Sequence, residues 1–310
     1  MKKILAAVAG VALLALPFLT DSDYLLNFAI GTLLLAYLGQ SWNILGGYGG
    51  QFSFGHALFF GTGAYATAVL QTKVGLNPYL TLPFALAAGA AVGALVGALS
   101  FRYGLKGSYF ALVTLAFAEV FRILASAVPF TGGGAGLLIP LDIRPENFQF
   151  ASKNSFYFIA LGLVAMSLAI AAWIERTRFG ARLIALRENE SSASALGVPV
   201  FKVKLQAIAL SGAMAALGGS FYAQYYLYLD PSIAYGAGMS VEILLTAIVG
   251  GVGTIFGPLV GAFALHGVGE AAKVVTGGAP GLNLALYGLI LILIVRLMPQ
   301  GLMGWIGGRK

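Results

Sequence analysis

The sequence predicts an all-α polytopic membrane protein. Three observations carry that prediction. Of 310 residues, 59% are hydrophobic and only 9% are charged, whereas soluble domains carry roughly 25% charged residues. Apolar runs of the length an α-helix needs to cross hydrocarbon recur along the whole chain. The short alternating segments of a membrane β-barrel are absent. Glycine supplies 43 of the residues, the composition expected where helices pack closely in lipid. No long hydrophilic region could hold a soluble domain, so residues 1–310 read as one transmembrane domain.

The first apolar run, 4–19, follows Lys2 and Lys3 and imitates a secretory signal. Residues 16–20, LPFLT, offer no small-x-small cleavage site, which makes the run an uncleaved first helix. Further spans are expected at 24–45, 56–70, 80–101, 108–128, 155–174 and 201–228. A short piece at 241–249, too short to cross at ~1.5 Å per residue, reads as a half-helix completed by the loop GGVGTIFG. Helices at 255–275 and 282–297 close the set, giving about ten hydrophobic segments. The basic residues orient them. With the N-terminus inside, Lys2, Lys3, Arg102, Lys106, the basic residues of 175–204, Arg296, Arg309 and Lys310 fall on the cytoplasmic side. Only Lys73, Arg144, Lys153 and Lys273 fall outside, as the positive-inside rule requires, and both termini are cytoplasmic. The net charge of +7 is therefore topology and lipid contact, with no nucleic-acid partner implied.

One glycine-broken stretch organises the rest: GGYGGQFSFGHALFFGTGAYA, residues 46–66. Gly46, Gly47, Gly49 and Gly50 interrupt an apolar run with no charge to force it out of the bilayer. Irregular backbone at membrane depth survives only where protein or a water-filled cavity satisfies it. Such a broken segment points to a transporter's substrate path. Gly47, Gly49, Gly50, Gln51, Ser53, Gly55 and His56 are the candidate lining. The competing reading is a tight turn with close helix packing. A fainter echo, GVGTIFG at 251–257, adds Gly251 and Gly253, although chance in a glycine-rich chain also explains it.

Other motifs resolve more simply. The polar segment 175–204 carries strong helix formers over 181–197, a stop at Gly197 and Pro199 beyond. It reads as one short helix outside the membrane. Glu188, Asn189, Glu190, Ser191 and Ser192 make one end polar and acidic, which suits a cytosolic protein partner better than lipid. Glu119 and Arg122, three residues apart within a span, lie on one helix face. They read as a structural ion pair near the outer interface, with Arg122 snorkelling outward. The loop TGGGAGL, 131–137, lacks the Lys-Ser/Thr ending of a phosphate loop and reads as a flexible external loop. Absence of cysteine excludes disulfides and thiol chemistry. His56 and His266 are too far apart in sequence to suggest a metal site. No nucleophile–base pair or paired catalytic carboxylates occur, so no enzyme activity and no cofactor are expected. No intramembrane cluster of ionisable groups is visible, which argues against a stand-alone secondary transporter or channel.

Together these residues resemble the permease subunits of branched-chain amino-acid ABC importers over nearly the whole chain. The matching motifs are GGYGGQFSFGHALFFGTGAY, TLAFAEVFR with TGGGAGL, LRENESSASALGV and ILLTAIVGGVGTIFGPLVGA. TLAFAEVFR and TGGGAGL are similar to the LivM-type member in particular. The resemblance implies a multi-pass permease of the bacterial inner membrane without its own ATPase. It implies partnership with a second homologous permease, two cytosolic ATPase subunits and a periplasmic substrate-binding protein. It further implies that Arg187, Glu188, Asn189, Glu190, Ala193, Leu196 and Gly197 belong to the helix that couples to an ATPase. Branched-chain or other hydrophobic amino acids are the implied substrates. Relatives that carry urea or short amides have similar motifs, so that alternative stays open.

Overall fold

The computed structural model describes residues 2–20, 22–277, 279, 281–298 and 300–306. Arg309 and Lys310, expected on the cytoplasmic side, lie outside the described residues. The helices are α1 (Lys2–Leu19), α2 (Asp23–Asn43), α3 (Ala57–Val74), α4 (Pro78–Arg102), α5 (Gly107–Ala127), α6 (Lys153–Arg176) and α7 (Arg178–Glu188). They continue with α8 (Glu190–Ala195), α9 (Val200–Tyr226), α10 (Pro231–Ala234), α11 (Ala237–Gly250), α12 (Gly257–Val275), α13 (Leu282–Leu297) and α14 (Gly301–Ile306). Among the described residues, six stretches are long and apolar enough to cross a membrane: Asp23–Tyr48, Pro78–Arg102, Gly107–Ala127, Lys153–Arg176, Val200–Tyr226 and Pro231–Gly250. The remaining expected segments fall on α1, α3, α12 and α13.

Helix α2 is the axis of the molecule. Every residue from Thr32 to Gly49 is buried, and α6, α9, α11 and α12 pack around it. A helix apolar on all sides belongs in the interior of a bundle. The outer helices show the opposite pattern. Along α4 the buried positions include Thr81, Ala85, Gly89, Gly93 and Gly97, one residue in four. This small-residue stripe meets α9: a Cβ on Gly89 would lie 2.5 Å from the Gly212 carbonyl oxygen, and one on Gly93 would lie 2.7 Å from that of Ile208. Two helix backbones approach this closely only where side chains are minimal.

Several helix starts are capped by side chains, which satisfy N–H groups the helix leaves free. Ser22 accepts from Leu25, Asn77 from Tyr79, Ser152 from Asn154, Thr177 from Gly180 and Asn189 from Ser192.

Three differences from the sequence reading have physical causes. The short piece expected at 241–249 begins earlier. Asp230 accepts from the N–H groups of Ser232 and Ile233 and so caps α10, and α11 follows from Ala237; the intervening small and polar residues hide that continuity. The single helix expected at 181–197 is two, because Asn189 turns extended (φ −157°) and caps a new helix. The loop at 131–137 carries regular structure. Its left-handed glycines Gly132, Gly133 and Gly136 lead into β1 (Leu137–Leu138), which pairs antiparallel with β2 (Tyr228–Leu229).

Candidate functional site

After α2 the chain widens into one π-helical turn, Ile44–Tyr48, then runs irregularly to His56. Protein groups satisfy its backbone, as burial requires. The Thr114 hydroxyl of α5 accepts from the N–H groups of Phe54 (3.1 Å) and Gly55 (3.3 Å). The Ser53 carbonyl accepts from the Trp42 indole at 2.8 Å, and Ser240 of α11 accepts from the N–H of Ala57 at 2.9 Å. The glycines are required by space. A Cβ on Gly47 would lie 2.0 Å from Asn43 Oδ1, and one on Gly55 would lie 1.8 Å from the Thr114 carbonyl oxygen. Gly50 adds a left-handed φ of +66°.

The second break, between α11 and α12, meets the first. Gly253 N–H donates to Asn43 Oδ1 at 2.7 Å, and Asn43 Nδ2 donates to the Thr254 carbonyl at 3.0 Å. A Cβ on Gly47 would lie 2.7 Å from the nitrogen of Gly253. Asn43 is thus the pin of a two-loop junction, a role that no local sequence pattern singles out.

The polar segment grips this junction. Arg187, in the last turn of α7, donates from Nη1 to the Gly47 carbonyl at 3.1 Å. Its stem lies on Gly50, where a Cβ would stand 2.8 Å from Arg187 Cγ, and a Cβ on Gly253 would stand 2.8 Å from Nη1. From α6, Glu175 accepts from the Tyr48 hydroxyl at 3.0 Å. Both breaks therefore lie at the end of the bundle where α7 sits. Of the residues singled out from sequence, Gly47, Gly50, Gly253 and Arg187 come together here.

The remaining candidates divide. Gln51, Ser53, Gly55 and His56 are buried, while Phe52 and Phe54 are each 40% exposed. The alternation in GQFSFG is a legible signal, but with the aromatic side chains facing outward. His56 has a deducible tautomer. The Ser41 hydroxyl donates to the Leu38 carbonyl (2.6 Å) and Ser211 donates to the Ser41 carbonyl (2.6 Å), so neither proton is free for the imidazole. His56 Nε2, 3.1 Å from Ser41 Oγ, is then the donor. Gly251 (φ +128°) turns the second break.

In the polar segment, Ala193 is buried, whereas Glu188 and Leu196 are exposed. Gly197, with φ +83°, stops α8. Glu188 pairs with its neighbour Arg187 at 2.8 Å. Glu190 turns inward to Lys204 (2.8 Å) and Lys106 (3.3 Å). Burial opposes its ionisation, but the two ammonium groups outweigh it and hold the carboxyl below the usual range. On α5, Arg122 donates to both oxygens of Glu119, at 2.9 and 2.6 Å.

Ionisable side chains that the sequence reading did not group come together among the helices. Glu242 of α11 and His266 of α12 approach to 3.5 Å, and Glu270 joins Lys273 at 2.6 Å and the hydroxyl of Tyr24. Glu270 and Lys273 are three residues apart on α12, but the fold alone brings Tyr24 of α2 and Glu242 of α11 to that helix.

A bundle of membrane-length helices around a buried, glycine-broken axis defines a multi-pass membrane permease. The particular family follows from comparison. Residues 24–295 match the family described as branched-chain amino acid transport system / permease component, and the chain belongs to it. It is similar to the high-affinity branched-chain amino acid transport system permease protein LivM of Salmonella typhimurium, 28% identical over 97% of this chain and 75% of the relative. LivH of the same organism is 24% identical, over 87% of this chain and 91% of its own length. The inner membrane ABC transporter permease protein YjfF of Escherichia coli is 28% identical, over 78% and 70%. No solved structure matches the chain. Family membership, unlike the absence of a visible ionisable cluster, decides against a stand-alone transporter.

Proposed function

We propose that the chain is the membrane-spanning permease subunit of an ATP-driven importer for branched-chain or other hydrophobic amino acids. The observation that carries the reading is Arg187. It ties the polar segment, 175–204, to both glycine breaks at once. A cytosolic ATPase docked on that segment would move the breaks directly. The exposed tip of α8, with Ser191, Ser192 and the 86%-exposed Leu196, offers a mixed surface for such docking. Glu188, exposed and held by Arg187, is the carboxylate placed at the surface to meet a basic group there. Glu190 serves the chain's own fold.

In this reading the end holding α7 faces the cytoplasm, and the breaks form an inner gate. Gly47, Gly49, Gly50, Gln51, Ser53, Gly55 and His56, with Gly251 and Gly253, shape the gate, and Phe52 and Phe54 present its surface to the second permease. Glu119 and Arg122 fix the rotation of α5. ATP hydrolysis belongs to two partner ATPases, and a periplasmic binding protein supplies most of the selectivity. Support comes from family membership and from the relatives' roles as permease proteins. The test is uptake by the complex reconstituted in liposomes with its second permease, ATPases and binding protein. Uptake that requires both ATP and loaded binding protein is expected. Uptake by this chain alone, driven by an ion gradient, would reject the proposal.

A further inference from the structure

At the end of the bundle opposite α7, a cavity of about 650 Å³ opens between α2, α11, α12 and α13, within the range usual for small-molecule sites. Its inner end is polar. His266 stands nine residues into the 19-residue α12 and Glu242 eight residues before the end of α11. At ~1.5 Å per residue both lie near mid-depth of the bundle, the level at which transporters bind their substrates. The Glu242 side chain is 41% exposed in the isolated chain. A carboxylate at that depth is costly against lipid, so the opening faces solvent or the second subunit.

The hydrogen-bond inventory gives the pair its chemistry. The Thr32 hydroxyl donates its only proton to the Phe28 carbonyl at 2.7 Å, so at 2.8 Å from His266 Nδ1 it acts as acceptor. His266 therefore carries a proton on Nδ1, and in the neutral ring Nε2 is an acceptor 3.5 Å from Glu242 Oε1. Two acceptors face each other at the wall of a cavity, with no donor from the described residues between them. A primary ammonium, with three donors, satisfies both. Phe28, Leu245 and Leu265 supply an apolar wall beside it, and Lys273, paired with Glu270, stands seven residues further along α12 toward the mouth.

We propose that Glu242 and His266 form a mid-depth station for the ammonium group of the transported amino acid, with its aliphatic side chain against Phe28, Leu245 and Leu265. The proposal rests on the amino-acid importer reading. The test uses the assembled transporter in nanodiscs without binding protein, and saturation-transfer NMR with three probes. These are leucine, leucinol (ammonium kept, carboxylate removed) and 2-hydroxy-4-methylpentanoate (ammonium removed). Leucine and leucinol should bind, and the hydroxy acid should bind at least about tenfold more weakly, as expected for a lost charged hydrogen bond. Glu242→Gln should weaken both amines by a similar factor. His266→Gln, which keeps an acceptor, should retain more binding than His266→Leu. These two variants decide the matter if Glu242→Gln fails to assemble.

Equal binding of the hydroxy acid and leucinol would overturn the proposal. So would absence of leucinol binding, which would mean that a proton on Nε2 already completes the pair. If the wild-type complex takes up no amino acid but binds leucinol through Glu242, the importer reading fails and the station stands. If it takes up leucine and Glu242→Gln does so equally, the station fails and the importer reading stands.

Discussion

At the residue scale the junction depends on the missing side chains of glycine and on one asparagine. Gly55 illustrates the first, since its Cβ would lie 1.8 Å from a backbone oxygen that cannot swing away. Gly55→Ala should lower the stability of the purified protein by about 2 kcal/mol or more, an overpacking penalty. Gly162 is exposed on α6, with nothing within 4 Å of where a Cβ would stand. It is the control, and Gly162→Ala should leave the melting temperature unchanged or slightly raised, since alanine favours the helix. Equal melting of the two variants would contradict the packing account. Glycines in a hydrophobic run are legible in sequence. What each one makes room for is not: Thr114 is 59 residues from Gly55, and Gly253 is 206 from Gly47.

At the element scale, α8 is held to α9 by Glu190, which meets the nearly buried Lys204 and the exposed Lys106. The folded carboxyl ionises below the usual range. Its stabilising effect is thus complete above the unfolded value of ~4.3 and is lost as pH falls through the lower folded value. Glu190→Gln should therefore melt below wild type by a constant margin from about pH 8 to pH 5, a gap that closes below about pH 4. Glu188→Gln, which touches only an exposed neighbour, should show little change across the same range. A gap that widened on acidification would contradict the ion-pair account. Sequence spacing revealed a polar segment and its glycine stop. It did not reveal the break at Asn189, because asparagine favours a cap only when the local hydrogen bonds compete with a continuous helix.

At the scale of the molecule, hydropathy made the bundle legible, since every span must bury its own backbone bonds. The runs that became α2 and α4 were readable as spans, but the small-residue stripe by which α4 meets α9 emerged only with the fold. Nor was the polar cluster of α2, α11 and α12 readable, because its members are assembled only by the fold. The central claim concerns the path from α7 to the two breaks. Arg187 is the side chain of the polar segment that touches both of them. The most direct measurement is the number of amino-acid molecules carried per ATP by reconstituted complexes of wild type, Arg187→Lys and Arg187→Ala, matched for yield and melting temperature. If Arg187 transmits the ATPase stroke, Arg187→Ala hydrolyses ATP on binding-protein contact but carries at least about tenfold less per ATP, and Arg187→Lys, able to donate to Gly47, recovers part of the loss. Wild-type stoichiometry in Arg187→Ala would contradict the account.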